Sequence, residues 1–192
     1  MSTPHHPLLA RIYDVVMMPN ERMGMRRQRS HLCRLAAGTV LEVGVGTGLN
    51  LRHYERAKEV IAIDADPHWL RRAHKRAGEA IVPVTLVQAD GEHLPFRDGT
   101  FHTVVIGLTL CTIRHPEVAL AEARRVVDEE GELHFLEHIR SPRSWVGKVE
   151  DVIAPVWGKV AGGCRPNQDT VSLIESSGWE ITKLWTASHG GL

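Results

Sequence analysis

Short apolar runs alternate along this chain with stretches whose apolar positions recur at helical spacing. The short runs are rich in β-branched residues and bounded by turn residues, which predicts strands at 39–43, 60–63, 84–87, 102–107 and 132–137. Two longer stretches, 66–78 and 115–131, carry Pro in the first turn and Gly at the far end, which predicts helices. This alternation predicts a single-domain α/β fold of Rossmann type, with a doubly wound and mostly parallel sheet.

The same pattern divides the chain into three parts. Residues 1–38 are predicted to form an N-terminal helical cap, 39–140 the core with the sheet, and 141–192 a substrate-side insertion followed by a C-terminal helix or strand. Within the last part, 141–168 breaks the alternation with scattered Pro, Gly and Trp. Insertions beyond the carboxyl end of a strand often form the substrate wall of such folds, so we expect that role here.

Composition and charge indicate a soluble protein with no general affinity for nucleic acid. The 192 residues include 23 Lys and Arg and 23 Asp and Glu, so the formal net charge is zero. No apolar run is long enough to span a bilayer, and the N-terminus lacks the features of a signal peptide. Cys33, Cys111 and Cys164 are far apart and form no C-x-x-C pair, which is typical of reduced thiols in the cytoplasm.

One local imbalance of charge precedes the first strand. Several arginines are opposed there by a single acid, Glu21: these are Arg22, Arg26, Arg27, Arg29 and Arg34. A solvated helix face is the usual explanation of such a run, and an anionic partner is the alternative.

The sequence HFLEH at 134–138 matches the H-x-x-E-H pattern of one class of zinc peptidases. It lies at the end of a predicted strand, where four residues span about 13 Å at about 3.3 Å per residue. Two zinc–nitrogen bonds of about 2.1 Å each cannot bridge that separation. We therefore expect no zinc site here, whereas a loosely bound magnesium ion remains open.

A glycine loop follows the first strand in the segment LEVGVGTGLN. Gly44, Gly46 and Gly48 form a G-x-G-x-G pattern, in which the missing side chains let backbone N–H groups approach a ligand closely. The dinucleotide fingerprint requires a small residue where this chain has Leu49. Glu42 places a carboxylate beside the loop, which would repel a pyrophosphate. We therefore expect that NAD does not bind.

Two further acids stand at the ends of the next strands. Asp64 ends the second strand, where an acid accepts hydrogen bonds from ribose hydroxyls, and Asp90 ends the third, in position to meet an adenine amino group. A helix-dipole or turn role would explain each acid singly. Together with Glu42 they predict a site for a nucleoside that carries a positive charge and no phosphates.

The chain resembles class I S-adenosylmethionine-dependent methyltransferases in four segments, which match that family's motifs in order and spacing: LEVGVGTGLN, IDADPHWL, QADGEHLPF and LTLCTIRHPEVALAEARRVVDEEGELHFLEH. The resemblance covers about residues 39–140 and is to the branch with quinone-biosynthesis C-methyltransferases. The last segment is most similar to the thiol S-methyltransferases and small phospholipid N-methyltransferases of that branch. A match to the mycobacterial O-methyltransferases of methylmannose polysaccharides is a further option.

This resemblance implies S-adenosyl-L-methionine as cofactor, with S-adenosyl-L-homocysteine as product, and a core at 39–140 that binds it. It implies that Glu42 orients the amino end of the cofactor, that Asp64 holds the ribose and that Leu108 lies near the sulfonium. Trp69 would pack on the adenine, although a Trp on such a helix can also be a core residue. The full implied set is Tyr13, Glu42, Gly44, Gly46, Thr47, Gly48, Asn50, Asp64, Ala65, Trp69, Asp90, Gly91, Glu92 and Leu108.

The family differs from this chain at both ends. The thiol-transferase relatives carry an N-terminal membrane anchor that is absent here, and the cytoplasmic location is expected from the cysteines alone. The family's seventh, antiparallel strand would follow ITKLWTASHGGL at 181–192. We expect either that this sheet edge is built differently or that the native protein continues beyond these residues.

The acceptor of the methyl group is expected at the end of the fifth strand, where the catalytic candidates are His138, Glu137 and His115. A hydroxyl acceptor needs a general base, and a histidine beside a carboxylate suits that role. We therefore favour the oxygen of a small molecule, such as a sugar, with His138 as the base. A thiol or a phospholipid amine is the alternative acceptor, and a non-catalytic cofactor-binding module is the alternative of another class.

Overall fold

Alternating strands and helices make up the part of the chain that the computed structural model describes, which is residues 6–137, 165 and 168–186. The helices are α1 (Pro7–Asn20), α2 (Arg26–Leu35), α3 (Pro67–Gly78), α4 (Pro116–Val126) and α5 (Thr170–Ser176). The strands are β1 (Ala37–Val43), β2 (Arg56–Asp64), β3 (Val84–Gln88), β4 (Phe101–Gly107) and β5 (Val127–Leu136). A π-type turn, Glu21–Met25, joins α1 to α2.

The five strands form one sheet in the order β3-β2-β1-β4-β5, and every neighbouring pair is parallel. The chain leaves β1 toward β2 and β3 and returns to the other side of β1 for β4 and β5. The strand order therefore reverses between β1 and β4, which is where such sheets place a ligand crevice at their carboxyl ends. The predicted Rossmann-like fold is confirmed.

Helices cover both faces of the sheet because successive strand residues point to opposite sides. Leu41 and Val43 belong to a core cluster with residues of α4 and α5. Val40, which precedes Leu41 and points to the opposite side, belongs to a second cluster with residues of α2 and α3. Since β1 and β4 are apolar on both faces, they occupy the centre of the sheet.

The prediction of a helix at 115–131 was wrong over its last turn. Helix α4 ends at Val126, and Val127 is already extended, with φ −77° and ψ 145°. Val127 pairs with Phe101 of β4, and the register then shifts before the pairing resumes. A Cβ on Gly131 would lie 2.4 Å from the Val127 side chain, so only glycine fits where the bulged strand passes close to Val127. Gly131 therefore does not mark the end of a helix.

The segment before β1 consists of α1 and α2, which meet at a kink where Gly24 has a φ of 128°. These helices occupy most of the predicted cap, 1–38, and α1 is joined to α3 by an ion pair of 2.9 Å between Asp14 and Arg76. The predicted insertion, 141–168, lies almost wholly outside the described residues. Among residues 6–137 and 168–186, no helix is long and apolar enough to cross a membrane.

Candidate active site

A cavity of about 560 Å³ opens at the carboxyl ends of β1, β2 and β4. This volume is in the range of small-molecule sites, about 300–1,000 Å³. The glycine loop forms one part of its wall, and α1 forms another. The cavity is lined by every residue of the predicted cofactor set except Glu42 and Gly48: Tyr13, Gly44, Gly46, Thr47, Asn50, Asp64, Ala65, Trp69, Asp90, Gly91, Glu92 and Leu108.

The three glycines of the loop are required for different reasons, although all have positive φ. A Cβ on Gly44 would lie 2.2 Å from the Thr109 side chain, so Gly44 allows β1 and the turn after β4 to pack together. A Cβ on Gly48 would lie 3.3 Å from the Ala73 backbone, so Gly48 packs against α3 and does not line the cavity. Of these three glycines, Gly46 alone is one where a Cβ would meet no protein atom within 4 Å, so its backbone is open to a ligand.

Two alanine substitutions separate these roles. Gly44→Ala forces a clash with Thr109, so we expect it to lower the free energy of unfolding by about 1–3 kcal/mol. Gly46→Ala meets no protein atom and carries only the cost of a left-handed alanine, roughly 1 kcal/mol. Chemical denaturation measures both changes, and calorimetry measures ligand binding. Equal loss of stability in the two variants would contradict this assignment.

Asp64 is held in a fixed orientation at the end of β2. Its Oδ2 accepts a hydrogen bond from the backbone N–H of Gly46 at 3.0 Å, and its Oδ1 accepts one from the N–H of Asp66 at 3.0 Å. Burial nevertheless raises the pKa of Asp64 to about 6, because the ionised carboxylate is poorly hydrated there. A ligand with two hydroxyl donors would supply the hydrogen bonds that water does not.

The raised pKa of Asp64 predicts a pH dependence of cofactor binding. The ionised carboxylate is the better acceptor for ribose hydroxyls, and its population falls as the pH drops through about 6. We expect the dissociation constant of S-adenosylmethionine to rise between pH 7 and pH 5. Titration calorimetry across this range tests the effect, and Asp64→Asn should remove most of it. Glu42, whose pKa burial raises to about 7, would account for any remaining slope.

An aromatic pair from two helices lines the cavity. The rings of Tyr13 from α1 and Trp69 from α3 meet edge to face, with centroids 5.1 Å apart. Both residues line the cavity, so Trp69 belongs to the site wall and not to the core beneath the sheet. Their faces and edges offer an apolar surface to a planar ring.

The turn after β3 carries two acids that line the cavity and differ in exposure. The Asp90 side chain is exposed, and its Oδ1 accepts a hydrogen bond from the N–H of Glu92 at 2.9 Å. The Glu92 side chain is buried, and its Oε1 accepts a hydrogen bond from the N–H of His115 at 2.9 Å. Asp90 is thus placed to meet a ligand, whereas Glu92 holds the turn that begins α4.

Of the predicted catalytic residues, the structure describes His115 and Glu137, and neither lines the cavity. His115 stands at the start of α4, does not line the cavity, and has its Nδ1 3.6 Å from Glu117. His138 lies outside the described residues, so its role stays a prediction. His134 lies inside β5, where its Nε2 is 2.8 Å from Glu132. Within the described ranges, no group of three His, Cys, Asp or Glu side chains could hold a metal ion.

Glu137 instead holds the turn that follows β4. Its Oε1 accepts hydrogen bonds from the N–H groups of Thr109 at 2.6 Å and Leu110 at 2.9 Å. Leu108 has a φ of 57°, a left-handed conformation that is costly for a leucine, and its N–H donates to Leu136 at 2.7 Å. A strained residue fixed from both sides on a cavity wall is typical of a functional position, which agrees with the expectation that Leu108 lies near the sulfonium, although the sequence did not indicate the strain.

Glu42 is buried beside the glycine loop. It is 1% exposed and does not line the cavity. Its Oε1 accepts a hydrogen bond of 2.8 Å from the side-chain amide of Asn50, which does line the cavity. Asn50 thus links Glu42 to the cavity wall, and the role of Glu42 toward the cofactor stays a prediction.

The interpretation of the arginine run as a solvated helix face was wrong for Arg29. Arg22, Arg26 and Arg27 are exposed, but Arg29 is only 4% exposed and lines the cavity. Its burial is tolerated because Glu21 and Asn50 accept hydrogen bonds from its guanidinium.

A second link ties α1 to the glycine loop. The Thr47 hydroxyl donates to Asp14 at 2.7 Å, while Arg76 of α3 donates to the Thr47 carbonyl at 2.7 Å and to Asp14 at 2.9 Å.

Cys33 and Cys111 are both buried.

Comparisons with known proteins agree with this geometry. A family model described as a methyltransferase domain matches residues 41–135. Human thiol S-methyltransferase TMT1B is 33% identical over 148 residues, which cover 74% of this chain and 61% of that protein. Phosphatidylethanolamine N-methyltransferase of Cereibacter sphaeroides is 34% identical over 145 residues, which cover 74% of this chain and 71% of that protein. This chain thus spans less than two thirds of human TMT1B.

Solved structures support the same fold. A crystal structure of a candidate methyltransferase from Bacillus halodurans superposes with a TM-score of 0.69 at 23% identity, covering 81% of this chain and 70% of that one. The parallel sheet, its strand order and the glycine loop after β1 define the class I methyltransferase fold. With the sequence matches, the chain belongs to the S-adenosylmethionine-dependent methyltransferase family. The family resemblance and the cofactor that it implies are thereby confirmed.

Proposed function

We propose that this protein binds S-adenosylmethionine in the cavity and transfers its methyl group to a small molecule, with a thiol as the favoured acceptor. The observation that carries the cofactor part is the carboxylate of Asp64, which two backbone N–H groups hold at the wall of a cavity of nucleoside size. Membership of the methyltransferase family supports the reaction.

The lining residues fit the cofactor in chemistry as well as in volume. Asp64 would accept hydrogen bonds from the ribose hydroxyls, and the exposed carboxylate of Asp90 would accept one from the adenine amino group. Trp69 and Tyr13 offer an apolar wall to the adenine ring. The open backbone at Gly46 permits close approach. When bound, S-adenosylmethionine supplies an electrophilic methyl group on a sulfonium.

The protein's own contribution is to position the reactants and to exclude water. The turn at 108–110 provides a rigid wall for this purpose, since Glu137 binds two of its N–H groups and Leu136 accepts from a third. Cys111 and Ile113 continue this wall with largely apolar atoms. Such a wall desolvates an acceptor without supplying a base.

The contacts of Glu137 bear on the choice of acceptor. Its Oε1 is engaged by the N–H groups of Thr109 and Leu110, which favours a positioning role over proton abstraction. A thiol has a pKa of about 8.5 and ionises appreciably near neutral pH without help, whereas an alcohol needs a general base. The relationship to a protein named thiol S-methyltransferase supports the thiol. The hydroxyl acceptor with His138 as base is the competing proposal, and an amine is the third.

A panel of acceptors tests the proposal. The protein is incubated with methyl-labelled S-adenosylmethionine and either small alkyl thiols, sugars and alcohols, or phosphatidylethanolamine. We expect transfer to thiols, at a rate that rises with pH toward the thiol pKa and persists in His138→Ala. Transfer to alcohols that is lost in His138→Ala would establish the oxygen acceptor instead, and transfer to phosphatidylethanolamine would establish the amine. Binding without transfer to any acceptor would indicate a non-catalytic module.

A further inference from the structure

Arg29 is a buried cation on the wall of the cavity, beside the end of the glycine loop. It is 4% exposed, and a charge in such a place is stable only when it is paired or fully hydrogen-bonded. Its Nε donates to Glu21 at 2.8 Å, and its Nη1 donates to the side-chain oxygen of Asn50 at 3.0 Å. These bonds use Nε and Nη1, which leaves Nη2 available to a ligand or to the nearby hydroxyl of Tyr13.

Asn50 fixes the position of this cation relative to an acid. Its amide nitrogen donates to Glu42 at 2.8 Å while its oxygen accepts from Arg29, so both ends of the amide are committed and its orientation is determined. Because Glu42 is buried and does not line the cavity, the charged group that faces a ligand on this wall is the guanidinium. Arg114 also lines the cavity, but it is exposed and belongs to the opposite turn before α4.

We infer that Arg29 binds the carboxylate of the methionine part of the cofactor. The inference rests on the proposed function, in which the glycine loop holds that part of S-adenosylmethionine. A guanidinium forms directional, charge-assisted hydrogen bonds with a carboxylate, and they are stronger in a cavity than in water. The sequence suggested that acids alone surround the cofactor. Arg29 adds the opposite charge, so that the site complements an amino acid zwitterion and not only a cation.

A ligand that lacks only the carboxylate provides the test. Decarboxylated S-adenosylmethionine keeps the adenosine, the sulfonium and the amine. We expect Arg29→Gln to weaken S-adenosylmethionine binding roughly ten- to hundredfold, and to change the affinity for the decarboxylated compound less than about threefold. Titration calorimetry with both ligands on both proteins gives the coupling directly. Arg29→Lys keeps the charge without the fork of donors, so it should fall between the wild type and Arg29→Gln.

Arg26→Gln is the matched control, because Arg26 lies on the same helix and is exposed. It should leave both affinities unchanged. Equal losses for the two ligands in Arg29→Gln would show that Arg29 only holds α2 against Asn50, and no loss for either would show that the carboxylate is bound elsewhere. Both results overturn the inference while leaving the cofactor site intact. Failure of the wild type to bind S-adenosylmethionine would instead overturn the proposed function itself. Thermal unfolding of each variant confirms that it is folded.

Discussion

Replacing Asp64 with alanine is expected to weaken S-adenosylmethionine binding roughly ten- to hundredfold, because a hydrogen bond to a charged acceptor contributes about 1.5–3 kcal/mol. The substitution removes the acceptor for the ribose and also releases the N–H of Gly46, which Asp64 holds at 3.0 Å. Both effects act on the same ligand. Calorimetry with S-adenosylmethionine and with S-adenosylhomocysteine should give the same factor, since the two share the ribose.

Asp64→Asn is the control for this prediction. It preserves the shape of the side chain and one oxygen acceptor, so its affinity should lie between those of the wild type and Asp64→Ala. Glu59→Ala, at a different position of β2, should leave binding unchanged. If Asp64→Ala binds the cofactor as tightly as the wild type, the cavity is not the nucleoside site.

Replacing Glu137 with alanine should have the largest effect on stability. The N–H groups of Thr109 and Leu110 would both lose their acceptor, at about 1–3 kcal/mol for each buried group that finds no other partner. Urea denaturation should show a lower free energy of unfolding. Turnover should fall as well, because the turn also carries the strained Leu108 on the cavity wall.

Glu137→Gln distinguishes a positioning role from a catalytic one. Glutamine keeps an oxygen that can accept from both N–H groups, but it cannot take a proton. We expect this variant to recover most of the stability and to keep kcat within about tenfold of the wild type. A general base contributes about 10²–10⁴-fold, so a loss of that size in a stable Glu137→Gln protein would restore the catalytic role predicted from the sequence.

The sheet was predictable from the sequence because its strands are rich in β-branched residues and its central strands, β1 and β4, are buried on both sides. The strand from Ala37 to Val43 is recognisable from its own residues, without knowledge of the strands that pair with it. The start of α3 is recognisable in the same way, from its proline. The end of α4 was not predictable in this way. Helical periodicity continues past Val126, and the pairing of Val127 with Phe101, which is distant in sequence, decides where the strand begins.

The site was predictable where it depends on strand ends and not where it depends on the N-terminal helices. Asp64 and Asp90 follow strands, and the carboxyl ends of parallel strands meet at one edge. In the sequence, Arg29 could not be distinguished from its solvent-exposed neighbours. Its burial depends on hydrogen bonds to Glu21 and Asn50, which form only when α2 packs in the folded chain. The side chains of Asp14 and Arg76 are 62 positions apart, and no local pattern indicates that they meet.

The link between Asp14, Thr47 and Arg76 has a consequence for the rate of ligand exchange. It fastens α1, one wall of the cavity, to the glycine loop and to α3, so we expect a bound nucleoside to leave faster when this link opens. Asp14 and Arg76 are 40% and 29% exposed, and salt screens a pair that water reaches. The residence time of S-adenosylhomocysteine should therefore shorten as ionic strength rises, and we expect product release to respond to the salt content of the solution.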